Sequence, residues 1–476
     1  MTSTAMYTIG QGPSIVLRSL TLSRALALSL IAGALTSCSD PGPRRIAGPI
    51  ARDQGHPQFE RGARAQVQDF GPDVPLAYYA LSLDLMKRTA GFAPPSQARA
   101  YAYMGLALYE ALVSGMPGDR SVAKQLNGIG PLPEPNGAPY HWPLVANSAL
   151  AEVMRGLWGD KTSRAADNVA ALDALEAHFD AQFADVPPGL AKQSIDFGRA
   201  VGAAVYATSM DDGEHEAYLR NFPTTYTPPQ GDGLWQPTAP GQLALQPYWG
   251  TTMQTFALSS AAECDPGAPP AYSVQPGSAF YNEALEVYNL VRNGTAEQVT
   301  IARYWADGTG SFSGPGHSVA IANQILVQQH ATLATATETY ARVGLALADA
   351  LTALWWAKFH YNLIRPVTYI QAVIDPTWNT LLPTPPFPEY VSAHSAQSAA
   401  ATASLEYLFG ENVAFVDHAH DADGFTPRAF NRIYAAAEEA GISRLYAGIH
   451  FRSGNLRGQW LGRCVAAKVN SLSWRR

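Results

Sequence analysis

Three short polar clusters interrupt an alanine-rich sequence between Trp355 and His450. They read Lys358-Phe-His-Tyr-Asn-Leu-Ile-Arg365-Pro366, then Ser392-Ala393-His394, then Ser443-Arg444-Leu-Tyr-Ala-Gly-Ile-His450. In a chain with only 15% charged residues, this is a concentration of cations, hydroxyls and imidazoles. A guanidinium presents a planar fork to two oxygens and an ammonium a point charge, so the set suits a tetrahedral oxoanion. Taken singly, each cluster has a plainer reading. Lys-x6-Arg on a helix is usually a solvated face, Ser-Ala-His a simple cap, and a lone histidine a structural one. The three in this order are more specific than any one alone.

The elements that must position these groups are helical. Lys358 and Arg365 are seven residues apart, two helical turns, so a continuous helix would aim both the same way, with Pro366 ending it. Ser392 stands where an N-cap would open a helix over Ala393–Phe409, whose free first-turn N–H groups favour an anion. His394 would stand beside that anion as an acid/base group. Arg444 and His450 would lie about 120° apart on a straight helix, and Gly448 is the expected point of distortion.

Apolar residues at three- and four-residue spacing predict further helices. They cover Leu76–Thr89, Ser96–Ser114, Pro143–Leu157, Ala165–Ala184, Leu190–Met210, Ala279–Arg292, Ala296–Trp305, Ser318–His330, Ala334–Ile364, Arg428–Ala440 and Leu456–Ser471. No alternating strand pattern stands out. The expected class is all-α, packed helical bundles with long loops, divided into an N-terminal bundle over about 74–276 and a C-terminal one over about 277–476. The irregular stretch from Asp211 to Gly277 is long enough to be a functional cover.

Composition sets limits. With net charge −7 and pI near 5.9 there is no basic field for nucleic acid. Arg18 and Arg24 precede an apolar run, Ala25 to Leu35, too short to span a membrane, which reads as an export signal. Leu35-Thr36-Ser37-Cys38 resembles the lipobox of bacterial lipoproteins. That implies a signal peptide over 1–37, a lipidated Cys38 as the one membrane attachment, and a tether over 38–73. Ser39 after Cys38 implies no inner-membrane retention, so the expected location is the bacterial cell envelope. Cys264 and Cys464 remain, free to pair in an oxidising compartment or to sit unpaired in the core. No C-x-x-C exists for a cysteine metal site.

The series Lys-x6-Arg-Pro, Ser-x-His, Ser-Arg-x5-His resembles the signature that vanadium-dependent haloperoxidases share with the phosphatidic acid phosphatase type-2 superfamily. The resemblance extends to Arg303-Tyr-Trp-Ala-Asp307-Gly308 and to Pro385-Pro-Phe-Pro-Glu-Tyr390. It implies a vanadate cofactor, replaceable by phosphate, bound by Lys358, Arg365, Ser392, the Ala393 N–H and Arg444. His450 would be the axial ligand to the metal, with His394 the acid/base residue and Lys358 polarising bound peroxide. Trp355 and Phe387 match aromatic positions lining a halide site. The implied reactants are hydrogen peroxide, halide and a small organic acceptor; an oligomer is compatible.

Two features depart from the pattern. The family's Pro-Ser-Gly-His reads Val391-Ser392-Ala393-His394, and the aspartate usual four residues after the axial histidine is Gly454. Asp307 is the expected substitute orienter, through Arg444 or His450. Two other readings use the same residues: a phosphatase with His450 as nucleophile, and a non-catalytic lipoprotein scaffold. Outside the signature, His418-Ala-His420-Asp-Ala-Asp423-Gly424 lacks the later glutamate of an EF-hand and reads as a solvated loop. Gly314-Pro-Gly-His317 reads as a helix start or a turn, and Asp211 to Glu216 as a polar helix end.

Overall fold

A computed structural model describes residues 65–159, 161–238, 242–308 and 311–476; the signal and lipidation residues Arg18, Arg24 and Cys38 lie outside these. Among the described residues helices dominate. In chain order they are α1 (Asp73–Arg88), α2 (Pro94–Leu112), α3 (Trp142–Gly159), α4 (Ala165–Gln182), α5 (Pro188–Ser209), α6 (Trp249–Thr252) and α7 (Ala279–Arg292). Then follow α8 (Ala296–Tyr304), α9 (Ser313–Gln328), α10 (Leu333–Tyr361), α11 (Pro366–Val373), α12 (Ala393–Phe409), α13 (Ile433–Tyr446) and α14 (Arg452–Ser471). Several starts are set by side chains: the Thr332 hydroxyl accepts from Thr335 N–H at α10, and Thr295 with Gln298 closes a reciprocal capping box at α8.

The all-α expectation holds, with one local exception. Arg428–Ala440 was expected as helix, but Arg428–Phe430 (β2) pairs antiparallel with Phe415–Asp417 (β1), and α13 begins only at Ile433. A three-residue ladder draws its stability from its partner strand, which local periodicity does not show.

Helix α10 is the axis. Over 29 residues, about 43 Å, it is buried on nearly every face and packs against α2, α12 and α14. Contact with α2 is close because both helices carry glycine at the crossing: a Cβ on Gly105 would lie 2.5 Å from Tyr340 O, and one on Gly344 2.4 Å from Tyr101 O. The main apolar cluster includes residues from Val67 to Trp474 and draws on both halves of the described chain, with two small separate clusters beside it.

The segment from Asp211 to Gly277 is fastened down over α10 and the site. Buried Asp349 of α10 accepts N–H groups of Phe256, Ala257 and Leu258 at 2.6, 2.7 and 3.0 Å. Trp235 N–H donates to Asn362 O, Ile364 N–H to Gly233 O, and Leu245 N–H to Pro386 O, so the segment flanks both Arg365 and Phe387. Asp212, expected at a polar helix end, is buried and takes Arg99 and the Tyr103 hydroxyl.

Cys264 of this segment is disulfide-bonded to Cys464 of α14, 200 residues away. Closing so long a loop restricts the unfolded chain, an effect of about 2–4 kcal/mol. Cys264→Ser with Cys464→Ser should therefore lower the thermal midpoint by several degrees. An unchanged midpoint would mean that the three bonds to Asp349 suffice to hold the segment.

Candidate active site

The three polar clusters meet. Lys358, Arg365 and Ser392 are fully buried, and Arg444 and His450 are 4% and 2% exposed. The route differs from the one the spacing suggested. Helix α10 stops at Tyr361, where Asn362 turns into the left-handed region (φ 48°), and Arg365 is extended backbone at the start of α11. Reversal of the chain, not a shared helix face, brings Lys358 and Arg365 together. Both charges lie over the Phe387 ring, at 4.9 and 5.0 Å from its centroid.

Arg365 Nε and Nη1 donate to Phe387 O and Ile449 O at 2.8 Å each, while buried Nη2 has no hydrogen-bond partner among the described residues. Arg444 donates from Nη1 to Trp305 O at 2.8 Å, and its buried Nε also lacks a partner. Lys358 Nζ donates to the carbonyls of Pro388, Glu389 and Val391 at 3.0, 3.0 and 2.5 Å. Burial and the neighbouring Arg365 press its pKa well down. Three carbonyl acceptors, however, match the three donors that only the ammonium form carries. Lys358 thus fixes the 388–391 segment and contributes a nearby positive charge.

Ser392 caps α12, its hydroxyl accepting from Ser395 N–H, and the helix start leaves first-turn N–H groups, Ala393's among them, free for an anion. Beyond α13, Gly448 (φ +79°) makes the distortion that swings His450 back beneath Arg365, with Arg365 Nη1 3.3 Å from His450 Nε2.

His450 is held by a residue absent from the expected set. Its Nδ1 lies 2.7 Å from Glu389 Oε1, which also accepts the Phe451 N–H at 3.0 Å. A carboxylate there assigns the proton to Nδ1 and turns the Nε2 lone pair into the cradle. Burial raises the Glu389 carboxyl to about 7 against the pull of Lys358 and Arg365. Burial and then the charge of Arg365 hold His450 well below its usual range, so the ring is neutral.

Gly454 makes room for Glu389: a Cβ on it would lie 2.3 Å from Glu389 Oε1. The carboxylate partner of His450 thus comes from position 389 and not from position 454. Glu389→Ala should weaken oxoanion binding about 10- to 100-fold, and adding Gly454→Asp should recover much of it. Gly454→Asp alone should instead destabilise the fold, through overlap and like charge. Isothermal titration with vanadate and thermal melts of the three variants check this; equal losses in the single and double mutants would remove Glu389 from the role.

Asp307 is therefore not the orienter of His450. Its carboxylate is hydrogen-bonded by His317 Nδ1 and His420 Nε2 at 3.1 Å each, and His394 Nε2 approaches Oδ2 at 3.4 Å without hydrogen-bond geometry. The ring of His317, buried in α9, is bracketed on its other side by Asp417 Oδ2 at 2.8 Å. Burial alone would lower His317, but Asp307 and Asp417 outweigh it and raise the pKa to about 10. His420 is buried, not solvated as its loop suggested, because the segment after β1 folds inward against Tyr304 and Phe425. Burial, then the positive Arg444, lowers His394 to about 4, leaving it a neutral base. Trp355 and Phe387 pack with ring centroids 5.1 Å apart beside the cations.

A family model described as the second helical-bundle domain of VCPO matches residues 371–475. A bacterial vanadium-dependent iodoperoxidase of known structure aligns with TM-score 0.76 and 31% identity, over 85% of this chain and 97% of that one. This chain belongs to the vanadium-dependent haloperoxidases. A bacterial vanadium-dependent chloroperoxidase, at 16% identity and TM-score 0.61 over 82% of this chain and 93% of its own, shares the family's fold. Its apo form aligns equally, with TM-score 0.61 at 15% identity over 81% and 95%. Comparison with curated proteins finds no match.

Proposed function

We propose that the cradle binds vanadate through His450 Nε2, and that the protein uses it to oxidise a halide with hydrogen peroxide to a hypohalous equivalent, which halogenates a small organic acceptor. The observation that carries this reading is a surplus of buried positive charge around an unprotonated imidazole nitrogen, His450 Nε2, whose one contact among the described residues is the long 3.3 Å approach of Arg365 Nη1. Lys358, Arg365 and Arg444 surround His450, and Arg365 Nη2 and Arg444 Nε are buried donors without partners. Buried donors without acceptors are costly, and an oxoanion among them removes the cost.

Vanadate supplies a Lewis acid that activates peroxide without itself changing oxidation state. Glu389 keeps the His450 proton on Nδ1 and leaves Nε2, which faces Arg365 Nη1 at 3.3 Å, unprotonated. Arg365, Arg444, Ser392 and the Ala393 N–H hold the oxoanion oxygens, and Lys358 adds charge where negative charge develops on peroxide. His394 takes the peroxide proton as a neutral base. Trp355 and Phe387 form an apolar wall that excludes water beside the cations, a setting suited to a poorly hydrated halide.

The test uses protein stripped of phosphate and incubated with orthovanadate. Halide- and peroxide-dependent halogenation of a dione reporter is expected; phosphoester hydrolysis is measured on the vanadate-free sample. Hydrolysis alone would assign the chain to the phosphatase reading, which the same tetrahedral cradle favours, with His450 as nucleophile. Binding of neither vanadate nor phosphate would leave the scaffold reading. Export and lipidation at Cys38 complete the proposal, supported by the sequence before residue 39 and by a disulfide suited to an oxidising compartment; a palmitate label on Cys38 checks it.

A further inference from the structure

Two histidines meet Asp307 behind His394, and they lead to different places. From His317 the path ends at Asp417, which is fully buried. From His420 it leads out: His420 Nδ1 lies 2.8 Å from Asp423 Oδ2, and the Asp423 side chain is 42% exposed. Counting back from solvent, the steps are 2.8 Å from Asp423 to His420, 3.1 Å from His420 to Asp307 Oδ1, and 3.4 Å from Asp307 Oδ2 to His394 Nε2. The middle stations are closed off, with side-chain exposure of 5% for His420 and 1% for Asp307. Tyr304, Phe312 and Phe425 pack their rings around His420.

This inference rests on the haloperoxidase reading, whose chemistry consumes protons: H2O2 + X− + H+ gives HOX + H2O. One proton per turnover must reach a site walled by Trp355 and Phe387. We propose that Asp423, His420 and Asp307 form a proton-entry route that recharges His394 from solvent. Water protonates Asp423 Oδ2; that proton passes to His420 Nδ1 as His420 Nε2–H passes to Asp307 Oδ1. Rotation of the Asp307 carboxyl carries that same O–H to His394 Nε2, which takes the proton as the one on the other ring nitrogen goes to the oxygen that leaves as water. At each station one N–H or O–H bond breaks as another forms, so the proton count of the protein is unchanged, and reorientation of the His420 and His394 rings restores their starting tautomers before the next turnover.

The other groups facing the route set its direction. His317, between Asp307 and Asp417, keeps its protons and anchors Asp307. Burial would raise the Asp307 carboxyl, but the charge of His317 and the hydrogen bond from its ring outweigh it and hold that carboxyl well below the usual range, so it passes a proton on and does not store it. Asp307, His317 and His420 also place donor atoms within 4.8 Å of one another, as metal ligands would. Here both imidazoles already lie between two carboxylates, an arrangement that protons satisfy without a metal.

Wild type, Asp423→Asn and His420→Gln are compared in the vanadate-loaded full chain. Vanadate affinity is measured by titration, and halogenation in H2O and D2O across pH and buffer concentration. Positioning residues of a proton route should leave vanadate affinity within about twofold. They should lower kcat at pH 8 by about 10- to 100-fold for His420→Gln and less for Asp423→Asn. They should also enlarge the solvent isotope effect and respond to added imidazole or formate, which carry protons in from solution. Unchanged kcat in both variants overturns the route. So does a loss that tracks vanadate affinity and resists every buffer, since that marks a structural role. Stoichiometric zinc that survives purification and disappears in His420→Gln also overturns it, in favour of a metal site. A wild type without vanadate-dependent halogenation removes the haloperoxidase reading and the route together, whereas an active wild type with unaffected variants removes the route alone.

Discussion

Replacing His450 with alanine should cost at least about a thousandfold in vanadate affinity, roughly 4 kcal/mol. The substitution removes the atom through which the protein would coordinate the metal, and losing even a residue behind such a ligand costs 10- to 100-fold. It also leaves Glu389, fully buried, with one fewer donor. Titration of the stripped variant with orthovanadate measures the loss directly. Exogenous imidazole entering the space of the deleted ring should restore part of the affinity. Affinity equal to wild type would mean that the guanidinium groups and Ser392 hold the oxoanion unaided, and the axial assignment would fall.

His394→Ala should separate binding from turnover. The His394 side chain is 15% exposed, its Nε2 faces Asp307, and it acts on His450 through charge alone among the described contacts. Vanadate affinity should fall by no more than a few-fold, while kcat falls about 100- to 10,000-fold, the range for a lost general acid–base group. The pH profile gives a second signature. Burial and Arg444 lower His394 to about 4, below the ordinary histidine value. The neutral base therefore persists as pH falls through 6, and the acid limb of kcat/KM should appear only near 4. Equal turnover in the variant would move the acid/base role to another group.

The lowered pKa carries a stability consequence of definite sign. Between the ordinary value near 6.5 and about 4 the unfolded chain binds a proton at this position that the folded chain does not. Folding stability from His394 therefore declines as pH drops across that window and levels off below it. His317 acts at the other end. Raised to about 10 by Asp307 and Asp417 against its burial, it contributes stability that is complete below 6.5 and lost as pH climbs through 10.

Much of the site was legible because its members are rare residue types at fixed spacings inside helical sequence. Lys358, Arg365, Ser392, Arg444 and His450 were legible in this way, and most helices through their periodicity. What escaped was set by distant contacts. Glu389 lies 61 residues before His450, and nothing in a proline-rich run says which side chain folds inward. Gly454 read as the loss of an orienting aspartate, although its lack of a side chain is what admits Glu389. His420 sat in a sequence resembling a hydrated loop, and only the pairing of β1 with β2 tucks that loop beneath Tyr304. Arg365 does lie beside Lys358, but by a different route from the one expected, since Asn362, and not Pro366, stops α10. Local pattern records what a residue prefers; it does not record which remote segment arrives to meet it.

The exchange between positions 389 and 454 also limits how such a chain can change over generations. A chain with aspartate at 454 that gains Glu389 first passes through a state with two acids in overlapping space, since even a Cβ at 454 lies 2.3 Å from Glu389 Oε1. One that gains Gly454 first passes through a state in which the buried imidazole has no carboxylate behind it. Neither intermediate is neutral, so single substitutions do not easily connect the two arrangements. Lineages using one solution should retain it as a linked pair, inherited together and disrupted together.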